Sequence, residues 1–295
     1  MKPATLIKRM SLSRSDSHIG RFSMVACVAY LLAMVFMLQP LQAAEKASAG
    51  ATFLQAAKLH VSPAKIQLGG ANRKQQLLIT AETAGGSLFD VTARCELSVA
   101  DKSVAATDGS LLSGIVDGKT ELLVRFQSIE KRVPVTVAGF NTYPPINFLN
   151  DVIPVFSKLG CNSGGCHGKQ SGQNGFRLSV FGSEPEHDYV SLVKESRGRR
   201  IFPGDPERSL LVAKTIGRVA HGGGRRTQPG SSDHVLLAEW IRQGMPWGDD
   251  NAATLKSIRI EPSDRMMSMA SQQQILVTAV YSDGSERDVT AATTY

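Results

Sequence analysis

One internal duplication constrains this chain more than any other feature. Residues 59–94 open LHVSPAKIQL and continue QQLLITAETAGGSLFDVTA, while residues 258–292 open IRIEPSDRMM and continue QQILVTAVYSDGSERDVTA. Thr80 corresponds to Thr278, and Asp90-Val91-Thr92 to Asp288-Val289-Thr290, at a constant offset of 198 residues; Pro63 matches Pro262 with one residue of gap. Such self-similarity marks two copies of one structural module. Inside each copy a short β-branched run alternates apolar and polar residues (Gln76–Thr80; Gln274–Thr278), and turn residues follow it (Ala84-Gly85-Gly86-Ser87; Ser282-Asp283-Gly284-Ser285). The pattern predicts antiparallel strands joined by hairpins. The first copy continues through Val104–Ala106, Leu111–Val116, Thr120–Phe126 and Lys131–Val137, giving about seven short strands, the signature of a β-sandwich. The second copy reaches only Tyr295, with about half of those strands. A half sandwich with an open core is expected there, and with it a chain that is either the front part of a longer protein or a truncated reading frame.

At 295 residues, 42% apolar and 20% charged, the chain has material for roughly two domains and is not a disordered tail. Its net charge of +7 is uneven. Residues 1–43 carry Lys2, Lys8, Arg9, Arg14 and Arg21 against Asp16, so only about three positive charges remain for the rest. That excess is too small to argue for nucleic acid as a partner. The same N-terminal stretch explains the asymmetry. Phe22–Leu38 is an uncharged apolar run of 17 residues, preceded by basic residues and followed by Leu41-Gln42-Ala43-Ala44. Basic start, apolar middle and small-residue exit describe a signal peptide at 1–43, with cleavage after Ala43 or Ala44 and export to the periplasm or cell surface. The run falls short of the ~20 residues of a comfortable span; membrane association through an uncleaved segment is the alternative. Removing the signal takes Cys27 with it and leaves Cys95, Cys161 and Cys166, an odd number that argues against a simple disulfide framework. Cys95, alone in the strand-like stretch Val91–Val99, reads as a buried small hydrophobe.

Residues 145–248 change character. Asp151 is placed to cap a helix with apolar positions Val152, Val155, Phe156 and Leu159, and Pro154 in its first turn. Further helices are predicted over Pro206–Lys214 and over Asp233–Gln243, the latter capped by Ser231 or Ser232 and ended by Gly244. The helix that Asp151 caps runs into Gly160-Cys161-Asn162-Ser163-Gly164-Gly165-Cys166-His167-Gly168. Cys-x-x-Cys-His attaches c-type haem, two thiols binding the vinyl groups and His the iron. Here the spacing is Cys-x4-Cys-His, so two residues must loop out, and Gly164-Gly165 offers the backbone freedom to do so. Three other uses of the residues compete. A Cys161–Cys166 disulfide is permitted outside the cell, zinc would need a fourth ligand, and a redox dithiol is more usually spaced Cys-x-x-Cys.

Both regions resemble known families. The V-x-P opening, QQL-x-V-T-A, D-G-S…D-V-T and Val116–Thr120 (VDGKT) resemble group 2 bacterial Ig-like domains. Asp151–Lys169, Gly172–Gly182, Arg199–Pro203, Pro206–Leu211, His221-Gly-Gly-Gly and Trp240-Ile241 resemble the planctomycete-type cytochrome c domain. Together the resemblances imply a multi-domain chain: an all-β Ig-like sandwich at 52–139, a mostly α-helical cytochrome c-like domain at 145–248, and a truncated second Ig-like β module at 256–295. They imply one covalently attached haem c, held by Cys161 and Cys166, with His167 as proximal iron ligand and His221 or Met245 as the sixth. Arg199, Arg200, Arg225 and Arg226 are candidates for the haem propionates, since arginine offers carboxylates a planar fork. The activity implied is one-electron transfer to or from a redox partner protein, an electron carrier rather than an enzyme. The alternative is a haem-free cell-surface or adhesive scaffold with a Cys161–Cys166 disulfide. His187 and His234 read as surface residues, and Trp240 as core.

Overall fold

The first module owes its sheets to strands whose apolar residues alternate at period two. Its ten strands are β1 (Lys58–Ser62), β2 (Ile66–Gly69), β3 (Lys74–Gln76), β4 (Leu78–Glu82), β5 (Leu88–Asp90), β6 (Glu96–Val99), β7 (Ala105–Asp108), β8 (Leu111–Gly114), β9 (Gly118–Phe126) and β10 (Ile129–Ala138). The computed structural model describes residues 55–249 and 251–294, so the expected signal peptide lies outside the described residues. Sheets of order β1-β4-β5, β2-β10-β9-β6 and β3-β8-β7 surround one core. Along β10, Val133, Val135 and Val137 are buried, while Arg132, Pro134 and Thr136 between them are less so. They pack with Leu59, Val61, Ile66, Ile79, Leu122 and Val124. A one-residue slip would turn this whole set outward, which is why the register holds.

The mostly α-helical domain expected over 145–248 is not there. Its four α-helices are α1 (Ile153–Lys158), α2 (Pro185–Val193), α3 (Leu210–Thr215) and α4 (Ser232–Arg242), of 6, 9, 6 and 11 residues. They make up less than a third of the segment; turns, 3-10 turns and irregular chain make up the rest. The described chain as a whole is dominated by β-structure, thirteen strands in four sheets. Composition gives the reason: sixteen of the chain's 27 glycines fall in this segment, and each costs a helix interior about 1 kcal/mol relative to alanine. Helices this short are marginal on their own, so packing must hold them. Phe148, Trp240, Trp247 and Tyr189 form an aromatic nucleus with ring centroids 5.3–6.3 Å apart, joined by Phe156, Leu192 and Leu237. The boundaries shift with local chemistry. Asn147 caps a wide π-turn over Phe148–Val152 before α1 begins, and Pro206–Arg208 forms a 3-10 turn apart from α3. Ser231 accepts a hydrogen bond from the His234 amide and caps α4. Helix α2 begins without a side-chain cap and so carries no start signal in the sequence beyond Pro185.

The second module has β11 (Leu255–Glu261), β12 (Leu276–Tyr281) and β13 (Glu286–Asp288), and its sheet order β11-β12-β13 repeats β1-β4-β5. Thr278 pairs with Asp288 as Thr80 pairs with Asp90. The hydroxyls of Thr92 and Thr290 accept the amides of Ile79 and Val277, again at equivalent positions. One face of the copy is open: Ile258 and Ile260 are 56% and 51% exposed, whereas their counterparts Leu59 and Val61 are 2% and 5% exposed. The two copies also bind each other reciprocally. Asp288 accepts the Gln76 amide, and Asp90 accepts the Gln274 amide. Because each pair is related by the same 198-residue offset, the contact is two-fold in character, as in isologous interfaces. Arg287 reaches the middle segment through a 3.0 Å ion pair with Asp151. Among the described residues, no helix is long and apolar enough to cross a membrane.

Candidate functional site

The end of α1 sets where Cys161 stands. Gly160 takes φ +69°, the left-handed conformation that glycine tolerates. Its amide bonds the Ser157 carbonyl, and the Cys161 amide bonds the Phe156 carbonyl at 2.8 Å, the paired closure of a Schellman cap. The loop then folds on its own backbone. Cys161 O accepts the His167 amide at 3.0 Å, and Ser163 O accepts the amides of Cys166 and Gly168 at 2.9 and 3.0 Å. Gly168 has no room for a side chain, since a Cβ would stand 2.2 Å from the Asn162 carbonyl oxygen. Gly164 and Gly165 behave otherwise than expected. Neither adopts a left-handed conformation, and a Cβ on either would meet nothing within 4 Å. The longer spacing is absorbed by turns that other residues also form, and the two glycines keep open space in front of the loop.

This loop, α3 and the chain after it enclose a cavity of 550 Å³, within the range of cofactor sites. Phe156, Phe176, Leu178, Leu192 and Leu211 contribute its apolar wall, and both Cys161 and Cys166 line it. Their sulfurs are not bonded to one another. Burial pushes the Cys161 thiol up to about 11.

His167 and His221 line the same cavity from two separate segments. Their ring centroids are 6.3 Å apart and their planes lie within 9° of parallel. His167 Nδ1 bonds the Phe176 carbonyl at 3.0 Å, and His221 Nδ1 bonds the Gly224 carbonyl at 2.9 Å. A carbonyl only accepts, so each Nδ1 carries a proton, and an imidazole protonated there keeps an Nε2 lone pair whenever it is neutral. Burial lowers the His167 pKa below its ordinary value; the charges of His221, Arg200 and Lys214 add to this, and the Phe176 carbonyl opposes it. A carbonyl holding the far nitrogen is the usual support of a metal-ligating histidine. A metal bound to two imidazole nitrogens at roughly 2.0–2.1 Å each, with each nitrogen about an ångström from its ring centre, would separate the centroids by about 6 Å. The observed centroid spacing of 6.3 Å is of that size. Among the described residues, no three of His, Cys, Asp or Glu are grouped closely enough to hold a metal ion.

The other expected site residues divide. Arg199, Arg200 and Arg226 line the cavity, and Arg225 does not. Arg200 is buried and engaged: it donates to the carbonyls of Ser191, Glu195 and Gly175 and lies 4.5 Å from the Phe176 ring centroid. Arg226 donates through Nε and Nη2 to the Leu159 carbonyl and through Nη1 to Gly223 O. It ties the approach to Cys161 to the loop of His221. The Arg199 amide bonds the Ser196 carbonyl, but among the described residues its side chain has no hydrogen bond or ion pair, so its guanidinium is the free one among the lining arginines. Met245 is not brought to the site. It follows Gly244 at φ +55°, its amide bonds Trp240 O, its carbonyl accepts the Tyr189 hydroxyl, and its side chain packs on the aromatic nucleus. His234 is buried rather than on the surface and bonds Glu207 at 2.9 Å. The Phe176 carbonyl and Lys214 also stand at the site, and no ligand motif in the sequence marks either. The Gln173–Phe176 turn that presents Phe176 to His167 was signalled by Asn174-Gly175, a common turn pair.

No family model matches the chain, and no curated protein is similar to it. Among solved structures, domains 5–6 of the S-layer protein SbsC align with 32% of this chain and 48% of theirs, at 16% identity and a TM-score of 0.27. Domains 4 and 5 of the same protein align with 28% and 53%, at 16% identity and a TM-score of 0.25. The rSbsC(31-844) structure aligns with 32% and 14%, at 16% identity and a TM-score of 0.27. The chain spans about half or less of the length of the structures it matches.

Proposed function

We propose that the chain is an exported one-electron carrier that would hold one haem c through Cys161 and Cys166, with His167 and His221 as the residues that would hold its iron. One observation carries this reading: two parallel imidazoles, each fixed through Nδ1 by a backbone carbonyl, face one cavity that both cysteines also line. When bound, the group supplies one-electron chemistry, its iron passing between ferric and ferrous states. The chain's own residues hold and tune it. Cys161, at a capped helix end, and Cys166, five residues on, supply the two sulfurs. Phe176, Leu178 and Leu192 exclude water, and Arg199 is the cation left to meet a propionate. Arg200 and Arg226 act on the protein frame instead. A pair of histidines in place of His and Met sets a lower reduction potential. The basic and apolar N-terminal run supports export to the periplasm or cell surface, where a redox protein is the partner.

The test is maturation in a host that attaches c-type haem. The expected product shows a Soret band, covalent haem staining on a denaturing gel and the added mass of one haem, and Cys166→Ala loses the double attachment. A colourless protein whose mass shows Cys161 bonded to Cys166 refutes the proposal and favours the haem-free surface scaffold.

A further inference from the structure

A second cavity, of 850 Å³, lies in the cleft between the two repeat modules. Its charges do not balance. Both oxygens of Glu286 are taken by Arg259, at 2.8 and 2.9 Å. Glu261 accepts the Ser62 hydroxyl at 3.1 Å and pairs with Arg259 at 3.4 Å. Asp288 accepts the amides of Thr290 and Gln76. Every carboxylate lining the cleft is therefore engaged. Arg287 is engaged too, by Asp151 and by the Tyr281 ring 4.8 Å away. Lys65, Arg73 and Lys74 also line the cleft, and among the described residues none of the three side chains has a hydrogen bond or ion pair.

Arg73 is the informative member. The two lysines are exposed and solvated, but Arg73 is half-buried and points five N–H donors at no acceptor. Burial first, and the neighbouring Arg287 second, push its pKa below the ordinary arginine value, with Asp151 and Tyr281 opposing. An unpaired guanidinium partly shielded from water beside a second one is costly unless a counter-charge closes the site. The planar fork of arginine matches carboxylate and phosphate geometry.

We propose that the cleft between the repeats is a binding site for an oxyanion, a carboxylate, phosphate or sulfate group, received by Arg73 and neutralised with Lys65 and Lys74. The site is separate from the two-histidine cavity and does not depend on what that cavity holds.

Thermal melts of the full chain in citrate, in inorganic phosphate and in inorganic sulfate, at ionic strength matched with chloride, test it. A saturable rise in the wild-type midpoint is expected. Citrate alone would assign a carboxylate ligand, and phosphate or sulfate alone a tetrahedral one. Arg73→Met is expected to abolish the rise while melting no lower than wild type in chloride. The exposed pair Lys65→Met/Lys74→Met should fold normally and bind at least tenfold more weakly. The proposal is overturned by no rise with any of the three anions, or by an equal rise in wild type and Arg73→Met, the mark of a general salting effect. It is also overturned if Arg73→Met melts lower or fails to fold in chloride, which would make Arg73 a structural residue, or if the lysine pair binds as tightly as wild type.

Discussion

Arg226 distinguishes a residue that would grip a cofactor from one that braces the walls around it. Its guanidinium reaches Leu159 O with two nitrogens and Gly223 O with a third, so it spans from two residues before Cys161 to two residues after His221. Gly160 leaves it room: a Cβ there would stand 2.9 Å from Nη2. A hydrogen bond to a charged donor contributes about 1.5–3 kcal/mol when buried. Part of the guanidinium faces solvent, which weakens charge interactions, and its bonds share one side chain. Together they amount to about 1–3 kcal/mol. Arg226→Met should lower the unfolding free energy of the haem-free chain by that amount in urea titrations. Arg226→Lys should recover little, because a single ammonium cannot fork onto one carbonyl and reach another. If Arg226→Met unfolds within about 0.5 kcal/mol of wild type and only the haem-loaded protein suffers, the brace is refuted and a propionate partner takes its place.

Other outcomes follow from the same geometry. In matured protein, His221→Ala should convert a low-spin optical spectrum to high-spin, and Met245→Leu should leave it unchanged; the opposite result would restore Met245 as ligand. Gly168→Ala should expose the 160–178 loop to proteolysis, because its Cβ would stand 2.2 Å from the Asn162 carbonyl oxygen. Asp90→Asn and Asp288→Asn should couple in a double-mutant cycle by about 0.5–3 kcal/mol if the reciprocal contact binds the repeats together; additive effects would mean that the contacts are independent. For His167 the folded-state pKa is lowered, mainly by burial, so its neutral ring contributes stability above the unfolded value of about 6.5 that is lost as pH falls toward the folded-state value. Urea midpoints of the haem-free chain should fall in that acid window, and His167→Gln should flatten the change.

The β-modules were legible in the sequence because a period-two pattern is local: each strand's inward residues are named by their spacing, and the repeat named the second copy. Three of the four helices were visible for the same reason, through capping residues and apolar spacing. Their shortness was harder to see. Glycine penalties act residue by residue, but how far a helix survives them depends on what it packs against, and the aromatic nucleus is gathered from Phe148, Tyr189, Trp240 and Trp247. Helix α2, with Pro in its first turn and a weak apolar face, announces itself only once Leu192 is seen buried in that core.

The sequence alone determined the types of chemistry available: two thiols and an imidazole in one loop, a second imidazole in a glycine-rich loop, and paired modules at either end. Only the tertiary structure decided which groups meet. It brought His221 opposite His167 and left Met245 in the core, because a contact between residues 54 positions apart depends on how α3 and the loops after it pack, not on either residue's neighbours in sequence. It likewise turned the buried Arg200 and the more exposed Arg226 into braces, since each guanidinium takes nearby backbone carbonyls, and those are positioned by the fold.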